Sequence, residues 1–97
     1  MKENTILKQD SQKTWFVYLL YCADQSLYCG ITTDLNRRLN EHNSDNVKAA
    51  KYTRARRPIT LAFNLECKNR SEASKQEYRI KKLTRKQKLE LIAQNTV

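Results

Sequence analysis

Five side chains in this sequence are of types that can move protons or balance charge during a reaction: Tyr18, Tyr28, Arg38, His42 and Glu77. A phenol or an imidazole can accept or donate a proton, and a guanidinium can neutralise a developing negative charge. A single carboxylate can hold a hard divalent cation when waters and a phosphate complete the coordination shell. Because these residues are far apart in the chain, their chemistry depends on the elements that bring them together.

A β-hairpin is the first of these elements. It is predicted by an aromatic and β-branched run over 15–21, a polar break over 23–26 and a second apolar run over 27–29. Gly30, the only glycine in the chain, is expected to close the hairpin and turn the chain. A position without a Cβ would also allow a close approach to a neighbouring element or a ligand.

Tyr18 and Tyr28 share a face of this hairpin only if the numbers of facing residues add to an even sum. A loop of about three or five residues gives such a sum, whereas a loop of two or four would separate the phenols. We predict the odd loop, with both phenols on one face. The alternative is that each ring packs on the core, as tyrosines in strands often do.

The helix after the hairpin is predicted to begin at Thr33 or Asp34, since either can cap it, and to run over 35–42. At about 100° per residue, Arg38 and His42 fall on its apolar stripe beside two leucines. A guanidinium at the edge of a core needs an anion, either a ligand or a carboxylate. His42 lies one turn after Arg38, where a lone histidine is more often a surface residue or a charge suited to the last turn of a helix.

Glu77 lies on a later helix, for which Ser71 is the predicted N-cap, and close to the buried stripe of that helix. An acid in that position needs a cation, which an ion pair with Arg38 or a lysine would supply. A divalent metal such as Mg²⁺ is the other possibility, because one carboxylate can be enough for that ion. Glu77 is therefore the candidate metal ligand of the chain.

A basic segment follows the first helix and is a candidate nucleic-acid interface. Its candidate contact residues combine cations with one aromatic ring and are Lys51, Tyr52, Arg54, Arg56 and Arg57. Cationic side chains bind backbone phosphates, and Tyr52 could stack on a base. Gly30 joins this set because its backbone can approach a ligand closely. The alternative is an ordinary basic surface loop.

The composition predicts one small basic domain. The chain has 97 residues, a net charge of +9 and a pI near 9.7, which favour a polyanionic partner, nucleic acid before an anionic membrane. Its three cysteines and single histidine lack metal-site spacing, which argues against a zinc site and a disulfide framework. No apolar run approaches the roughly 20 residues of a membrane span and the N-terminus lacks a signal core, so a cytoplasmic protein is expected.

The fold predicted from these elements is α+β, with a small three-stranded antiparallel sheet flanked by helices. The third strand is predicted over 59–67, with its odd-numbered residues on one face. A capping box at Thr84 and Gln87 starts the last helix. Residues 1–12 are mostly polar and are interpreted as a loose N-terminal arm, which leaves residues 13–97 as the domain.

The order and spacing of these motifs resemble the GIY-YIG nuclease family, and most closely its small, single-domain bacterial members. The matching residues are Phe16-Val17-Tyr18 for the first motif, Tyr28-Cys29-Gly30 for the second, then Asp34, Arg38, His42 and, on a late helix, Glu77. The resemblance covers about Trp15 to Ile92. Each motif is short, so the likeness depends on their order and spacing together.

The resemblance implies a single GIY-YIG-like domain that hydrolyses DNA phosphodiester bonds with Mg²⁺ or Mn²⁺ as its cofactor. It favours Tyr18 as the base and Tyr28 as a positioning group, although the sequence does not decide between the two tyrosines, and it implies Glu77 as the metal ligand. Arg38 would neutralise charge on the phosphate, with His42 as a further site member. A domain without an appended recognition module is expected to act on nicked, branched or otherwise distorted DNA, or to depend on a protein partner, in repair or recombination.

The chain departs from the family pattern at Phe16, Val17 and Cys29, which flank the motif tyrosines and are expected to alter packing. Larger members carry an asparagine on the helix after the metal glutamate, whereas the first asparagine after Glu77 is here Asn95. Three hypotheses therefore stay open. They are a catalytic endonuclease, a nucleic-acid-binding module of the same fold with weak or no catalysis, and a basic structural or ribosome-associated protein.

Overall fold

The computed structural model of the protein describes residues 13–95, so the predicted N-terminal arm lies outside the described part of the chain. Its elements in chain order are β1 (Trp15–Tyr21), β2 (Leu27–Thr32), α1 (Leu35–Ser44), α2 (Lys51–Arg54), β3 (Thr60–Cys67), α3 (Arg70–Lys81) and α4 (Arg85–Gln94). The three strands form one antiparallel sheet in the order β2-β1-β3. The predicted α+β fold with a three-stranded antiparallel sheet is confirmed.

The register of β1 and β2 places the two motif tyrosines on one face of the sheet. Tyr18 faces Gly30 and Leu20 faces Tyr28, so the numbers of facing residues add to an even sum. The loop between the strands spans residues 22–26, which is the odd length predicted. Directly facing residues in an antiparallel pair point the same way, so the even-numbered side chains of β1 and β2 share a face.

Gly30 does not turn the chain, contrary to expectation, because β2 continues past it to Thr32. The glycine is needed for another reason, which is the ring that crosses it from the facing strand. A Cβ added at Gly30 would lie 2.5 Å from the hydroxyl oxygen of Tyr18 and 2.7 Å from its Cζ. The close approach predicted at this glycine is therefore made by the Tyr18 side chain.

β3 contains a β-bulge that re-aims its side chains. Leu19 faces Phe63 while Leu20 faces Leu61, which leaves Ala62 as an extra residue on β3. The extra residue moves Leu61 to the face of Tyr18 and leaves Phe63 on the opposite face. The prediction that all odd-numbered residues over 59–67 point one way is therefore wrong.

The sheet carries a separate apolar cluster on each face. The first cluster packs α3 and α4 on the odd-numbered face and contains Val17, Leu19, Cys29, Phe63, Cys67, Ala73, Ile80 and Ile92. The second packs α1 on the face of the motif tyrosines and contains Tyr18, Leu20, Cys22 and Ile59, with Tyr28, Leu35 and Leu39 against it. The helix with Arg38 and the helix with Glu77 therefore lie on opposite faces of the sheet.

Side-chain caps fix where the helices begin. The carboxylate of Asp34 accepts a hydrogen bond from the backbone N–H of Arg37, so Asp34 and not Thr33 is the N-cap of α1. The cap of α3 is Asn69 instead of the predicted Ser71, because its side chain reaches the N–H of Glu72. The predicted capping box of Thr84 and Gln87 at the start of α4 is confirmed.

The three cysteines of the chain, Cys22, Cys29 and Cys67, are buried and have free thiols. None of the helices between residues 13 and 95 combines the length and the apolar composition that crossing a membrane requires.

Candidate active site

A buried hydrogen bond joins Tyr18 on β1 to His42 on α1. The Tyr18 hydroxyl oxygen lies 3.0 Å from Nε2 of the imidazole, and the two residues are 2% and 0% exposed. The helix brings the imidazole to the sheet because its apolar stripe packs there, which places His42 one turn after Arg38 on the same side. Sequence reasoning predicted both residues as site members, and the structure brings them into contact.

Tyr28 completes an aromatic cluster around the imidazole. Its ring meets the His42 ring edge to face at 5.5 Å and 65°, while Tyr18 does so at 5.9 Å and 70°. Tyr28 is half-buried, and its other contact is a stacked arrangement with Tyr52 at 5.9 Å and 23°. We call Tyr18, Tyr28 and His42 the tyrosine–histidine cluster.

Arg38 borders this cluster at the edge of the core. Its side chain is 23% exposed, and its Nη1 donates to Glu41 Oε1 at 2.9 Å and to the carbonyl oxygen of Lys48 at 2.8 Å. The guanidinium also lies close enough to the Tyr18 hydroxyl to oppose the rise of that group's pKa. The carboxylate that pairs with Arg38 is therefore Glu41, whereas Glu77 was considered as its partner in the sequence.

Burial sets the protonation of the pair. It raises the pKa of Tyr18 to about 12, although the neighbouring guanidinium of Arg38 acts in the opposite direction. It also lowers the pKa of His42 to about 4, with the positive charge of Arg38 as the next cause. At neutral pH the phenol therefore keeps its proton and the imidazole is neutral. A phenolate that waits as a ready base is excluded in the free protein.

Thr53 on α2 is a contact of His42 that sequence reasoning missed. Its Oγ1 lies 2.6 Å from Nδ1 of the imidazole and 3.1 Å from the carbonyl oxygen of Ala50, and the residue is fully buried. The threonine was hidden within a basic run that predicted only an exposed segment. Ala49 is also buried, but it precedes the helix α2, so no helical spacing in the sequence marked the threonine.

The basic segment is mostly engaged within the protein. Arg54 donates to the carbonyl oxygen of Asn46 at 2.7 Å. Arg57 donates to the carbonyl oxygen of His42 at 2.8 Å, to the Asn46 side chain at 2.9 Å and to the carbonyl oxygen of Asp45 at 3.2 Å. These two arginines join the segment to the end of α1, as cations near the last carbonyls of a helix commonly do.

Tyr52 and Arg56 form the outer layer of the tyrosine–histidine cluster. The Arg56 guanidinium lies 3.8 Å from the centre of the Tyr52 ring and pairs with Asp24 at 3.0 Å. Since Tyr52 already contacts Tyr28 and Arg56, base stacking by its ring would require one of these neighbours to move. Lys51 is exposed. The predicted nucleic-acid contacts of this segment stay predictions.

Glu77 is not part of the tyrosine–histidine cluster. Its side chain is 23% exposed on α3 and pairs with Lys81 at 3.1 Å, one turn later. Burial, followed by the charge of Glu77, raises the pKa of Cys29 to about 12. The hydrogen bond to Glu77 is the main cause that raises the pKa of Lys81, and the charges of Cys29 and Tyr28 are smaller ones. The Glu77–Lys81 pair therefore lies along β2, near the strand segment that carries Tyr28.

The donor chemistry fits a metal ion that the protein shares with a substrate. Within residues 13–95, no three His, Cys, Asp or Glu side chains are grouped as metal ligands. Glu77 can provide one carboxylate, and Mg²⁺ or Mn²⁺ would then complete its shell with waters and a phosphate. Lys81 pairs with one oxygen of that carboxylate, so a metal ion would compete with the ammonium group.

The family model described as the GIY-YIG catalytic domain matches residues 14–90 of this chain. The chain belongs to the GIY-YIG family. This GIY-YIG protein is 49% identical over 90 residues to a UPF0213 protein of Desulfotalea psychrophila, which covers 92% of this chain and 81% of the relative. It is 48% identical over 83 residues to the UPF0213 protein YhbQ of Escherichia coli, covering 86% of this chain and 81% of that one.

Two solution NMR structures resemble this GIY-YIG protein in fold and sequence. The UPF0213 protein BH0048 of Bacillus halodurans is 39% identical with a TM-score of 0.55, covering 84% of this chain and 85% of that chain. The protein EF2693 of E. faecalis is 41% identical with a TM-score of 0.58, covering 87% and 88%. The resemblance predicted from the motifs is confirmed, and it places the chain in a nuclease family.

The GIY-YIG assignment gives the motif residues a structural meaning. The tyrosines of the two motifs are Tyr18 and Tyr28, which share a face of the hairpin and both touch His42. The glycine of the second motif is Gly30, whose missing Cβ leaves room for Tyr18. The late asparagine, Asn95, donates its side-chain N–H to the carbonyl oxygen of Leu91 and caps α4, so its contact is within that helix.

Proposed function

We propose that this GIY-YIG protein is a metal-dependent endonuclease that hydrolyses DNA phosphodiester bonds. Its substrates would be nicked, branched or otherwise distorted DNA, and its role would lie in repair or recombination. The observation that carries the proposal is the buried hydrogen bond between Tyr18 and His42, beside the guanidinium of Arg38. A phenol, a neutral imidazole and a fixed cation together suit the attack of water on a phosphate.

The proton path uses Tyr18 as a relay. A phenol with a pKa of about 12 is a poor acceptor when it acts alone near neutral pH. It can, however, take a proton from water while it passes its own proton to Nε2 of His42, which lies 3.0 Å away. No free phenolate is needed on this path. The imidazole is neutral and so has a lone pair for the proton, but with a pKa of about 4 it would hold that proton only transiently.

Arg38 and Tyr28 would complete the reacting geometry. Tyr18 is only 2% exposed, so the attacking water would reach it from the side of the half-buried Arg38 and Tyr28. The guanidinium has five N–H donors and would neutralise the charge that develops on the phosphate oxygens. Tyr28 would hold the imidazole ring in place and orient the water with its hydroxyl group.

Glu77 would hold the metal ion together with the phosphate of the substrate. A bound Mg²⁺ or Mn²⁺ supplies Lewis-acid stabilisation of the leaving oxygen. The protein would contribute the carboxylate, for which Lys81 competes with the ion. The positive charge of the chain would supply affinity through contacts with backbone phosphates, for which Lys51 is an exposed candidate in the basic segment. Selectivity would come from DNA shape or from a protein partner.

A nucleic-acid-binding module with weak or no catalysis is the second candidate function. Two observations favour it: Glu77 is occupied by Lys81, and its helix covers the face of the sheet opposite the tyrosine–histidine cluster. A carboxylate has no use in binding a polyanion, whereas it can hold a metal ion. DNA cutting and DNA binding by a Glu77 variant therefore distinguish the two candidate functions.

The test compares wild-type protein with Glu77→Ala and with Glu72→Ala, a control on the same helix that removes a carboxylate paired with Lys75. Each is incubated with labelled linear, nicked and branched DNA in the presence of Mg²⁺, Mn²⁺ or EDTA, and DNA binding is measured in parallel. We expect metal-dependent cutting that Glu77→Ala abolishes and Glu72→Ala retains. Binding without any cutting by the wild type would support the second candidate, and cutting that survives Glu77→Ala would reject Glu77 as the metal ligand.

A further inference from the structure

Both ring nitrogens of His42 have a fixed partner in the folded protein. Nε2 lies 3.0 Å from the Tyr18 hydroxyl, and Nδ1 lies 2.6 Å from Oγ1 of Thr53. A neutral imidazole carries one hydrogen, so only one of the two nitrogens can donate. Which nitrogen carries it determines whether the imidazole can accept a proton from Tyr18.

We infer that Thr53 is a positioning residue that holds His42 in the tautomer protonated at Nδ1, so that Nε2 faces Tyr18 as an acceptor. The value of this tautomer for catalysis rests on the proposed function, but the tautomer itself does not. In that arrangement the hydroxyl of Tyr18 donates to Nε2, and Nδ1–H donates to Thr53 Oγ1. The hydroxyl of Thr53 then donates to the carbonyl oxygen of Ala50, 3.1 Å away.

A count of hydrogens favours this arrangement over its reverse. If Nε2 carried the hydrogen, it would donate to the Tyr18 oxygen, beside which the other polar group is the guanidinium of Arg38. Arginine has only donors, so the phenol hydrogen would find no acceptor in either partner. Within residues 13–95, the tautomer protonated at Nδ1 gives each polar side-chain hydrogen of Tyr18, His42 and Thr53 an acceptor. Buried polar hydrogens in native proteins are normally paired, which selects this tautomer.

Hydrogen bonds from the basic segment to the region around α1 position Thr53. Thr53 lies fully buried in the four-residue helix α2. Arg54 and Arg57 bond the segment to Asn46 and to the carbonyl oxygen of His42 itself. These contacts fix the segment beside α1 and so hold the threonine against the imidazole. The arginines thus act on the cluster through Thr53, whether or not they also touch DNA.

The tautomer can be measured without any assay of activity. His42 is the only histidine of the chain, so a long-range ¹H–¹⁵N spectrum of labelled protein contains one imidazole. Near pH 7 we expect a protonated-type ¹⁵N shift for Nδ1 and an unprotonated-type shift for Nε2 in the wild type. Thr53→Ser, which keeps the hydroxyl, should retain this pattern. Thr53→Val, which keeps the shape, should change it toward Nε2–H or a mixture.

The outcomes separate this inference from the proposed function. A wild-type protein protonated at Nε2 overturns the inference, even if the valine variant fails to fold. An unchanged pattern in a folded Thr53→Val protein, checked by its backbone amide spectrum, also overturns it. If the wild type cuts DNA, Thr53→Val should lower the rate by roughly 100-fold or more and Thr53→Ser should restore it, since a wrong tautomer removes the acceptor. If the tautomer behaves as expected and no protein cuts DNA, the inference stands and the proposed nuclease fails.

Discussion

Gly30 lies directly across the β1–β2 pair from Tyr18, with the phenol ring in the space that a Cβ on residue 30 would occupy. The glycine of the second motif thus makes room for the tyrosine of the first. Without that space, the Tyr18 hydroxyl could not keep its 3.0 Å contact with His42. The two motifs therefore depend on each other through a single steric relationship.

Gly30→Ala should destabilise the protein by about 1–3 kcal/mol, because the added methyl group overpacks a buried contact. Urea unfolding of Gly30→Ala, Tyr18→Ala and the double variant would measure the coupling between the two positions. Removing the ring should relieve most of the effect of the alanine. An equal loss of stability from Gly30→Ala in both backgrounds would show that the ring is not what excludes a Cβ.

Tyr18→Phe should lower the rate of DNA cleavage by roughly 10²- to 10⁴-fold, because it removes the hydroxyl that relays the proton. Tyr21→Phe is the matched control, since Tyr21 belongs to the same strand but packs against the cluster on the opposite face. That control should cut at nearly the wild-type rate. Equal losses in the two variants, or a fully active Tyr18→Phe, would contradict the relay.

Folding stability should fall between pH 6.5 and pH 4 because of His42. Its pKa drops from 6.5 to about 4 on folding, so the unfolded chain binds a proton first as the pH is lowered. The loss should reach about 3 kcal/mol at pH 4, and no part of it should appear above pH 7. Denaturant unfolding of wild type and His42→Gln across this range isolates the contribution. A glutamine variant with the same pH dependence would contradict the assignment.

Arg57 and Lys51 should differ in what they support. Arg57→Lys cannot keep all three hydrogen bonds to the end of α1 and the residues after it, and the variant should lose about 1–3 kcal/mol of stability.

Lys51→Gln should leave stability unchanged and lower DNA affinity, with the slope of log affinity against log salt reduced by about 1. Loss of DNA affinity in Arg57→Lys without loss of stability would show that its phosphate contacts dominate.

Lys81→Met should tighten Mn²⁺ binding at Glu77, because the ammonium group no longer competes for the carboxylate. An exposed ion pair of this kind is worth up to about 1 kcal/mol, which predicts a two- to roughly fivefold change. Paramagnetic broadening of the backbone amide signals around Glu77 reports binding without a cleavage assay. Lys75→Met, which releases Glu72 in the same way, should not change the broadening. Equal affinities in all three proteins would argue against a metal at Glu77.

Local sequence patterns were enough to predict the hairpin and two of the helix caps. The polar break between two apolar runs predicted the hairpin, and the odd loop that we chose over an even one places Tyr18 and Tyr28 on one face. The cap at Asp34 and the box at Thr84 also follow from a few adjacent residues. These features depend on contacts between near neighbours in the chain, which a sequence displays directly.

Features that depend on packing between distant segments were mispredicted or missed. The bulge at Ala62 changes which face of the sheet part of β3 presents, and the alternating apolar pattern of β3 did not predict this bulge. Thr53 sits in a run of basic residues, so its burial against His42 could not be inferred from its charged neighbours. Arg38 was expected to meet a ligand or Glu77, whereas the nearest carboxylate on its own helix satisfies it.

The amino-acid sequence by itself determined the three-stranded α+β fold and membership of the GIY-YIG family, whereas the shared face of the two motif tyrosines depended on the loop length that the structure shows. The fold and the family membership follow from periodicity and from the order of short motifs, which need no knowledge of distant contacts. Only the tertiary structure decided that Tyr18 keeps its proton, that His42 is neutral between Tyr18 and Thr53, and that Lys81 holds Glu77. Protonation depends on burial and on partners, and both are set by how segments far apart in the chain pack together.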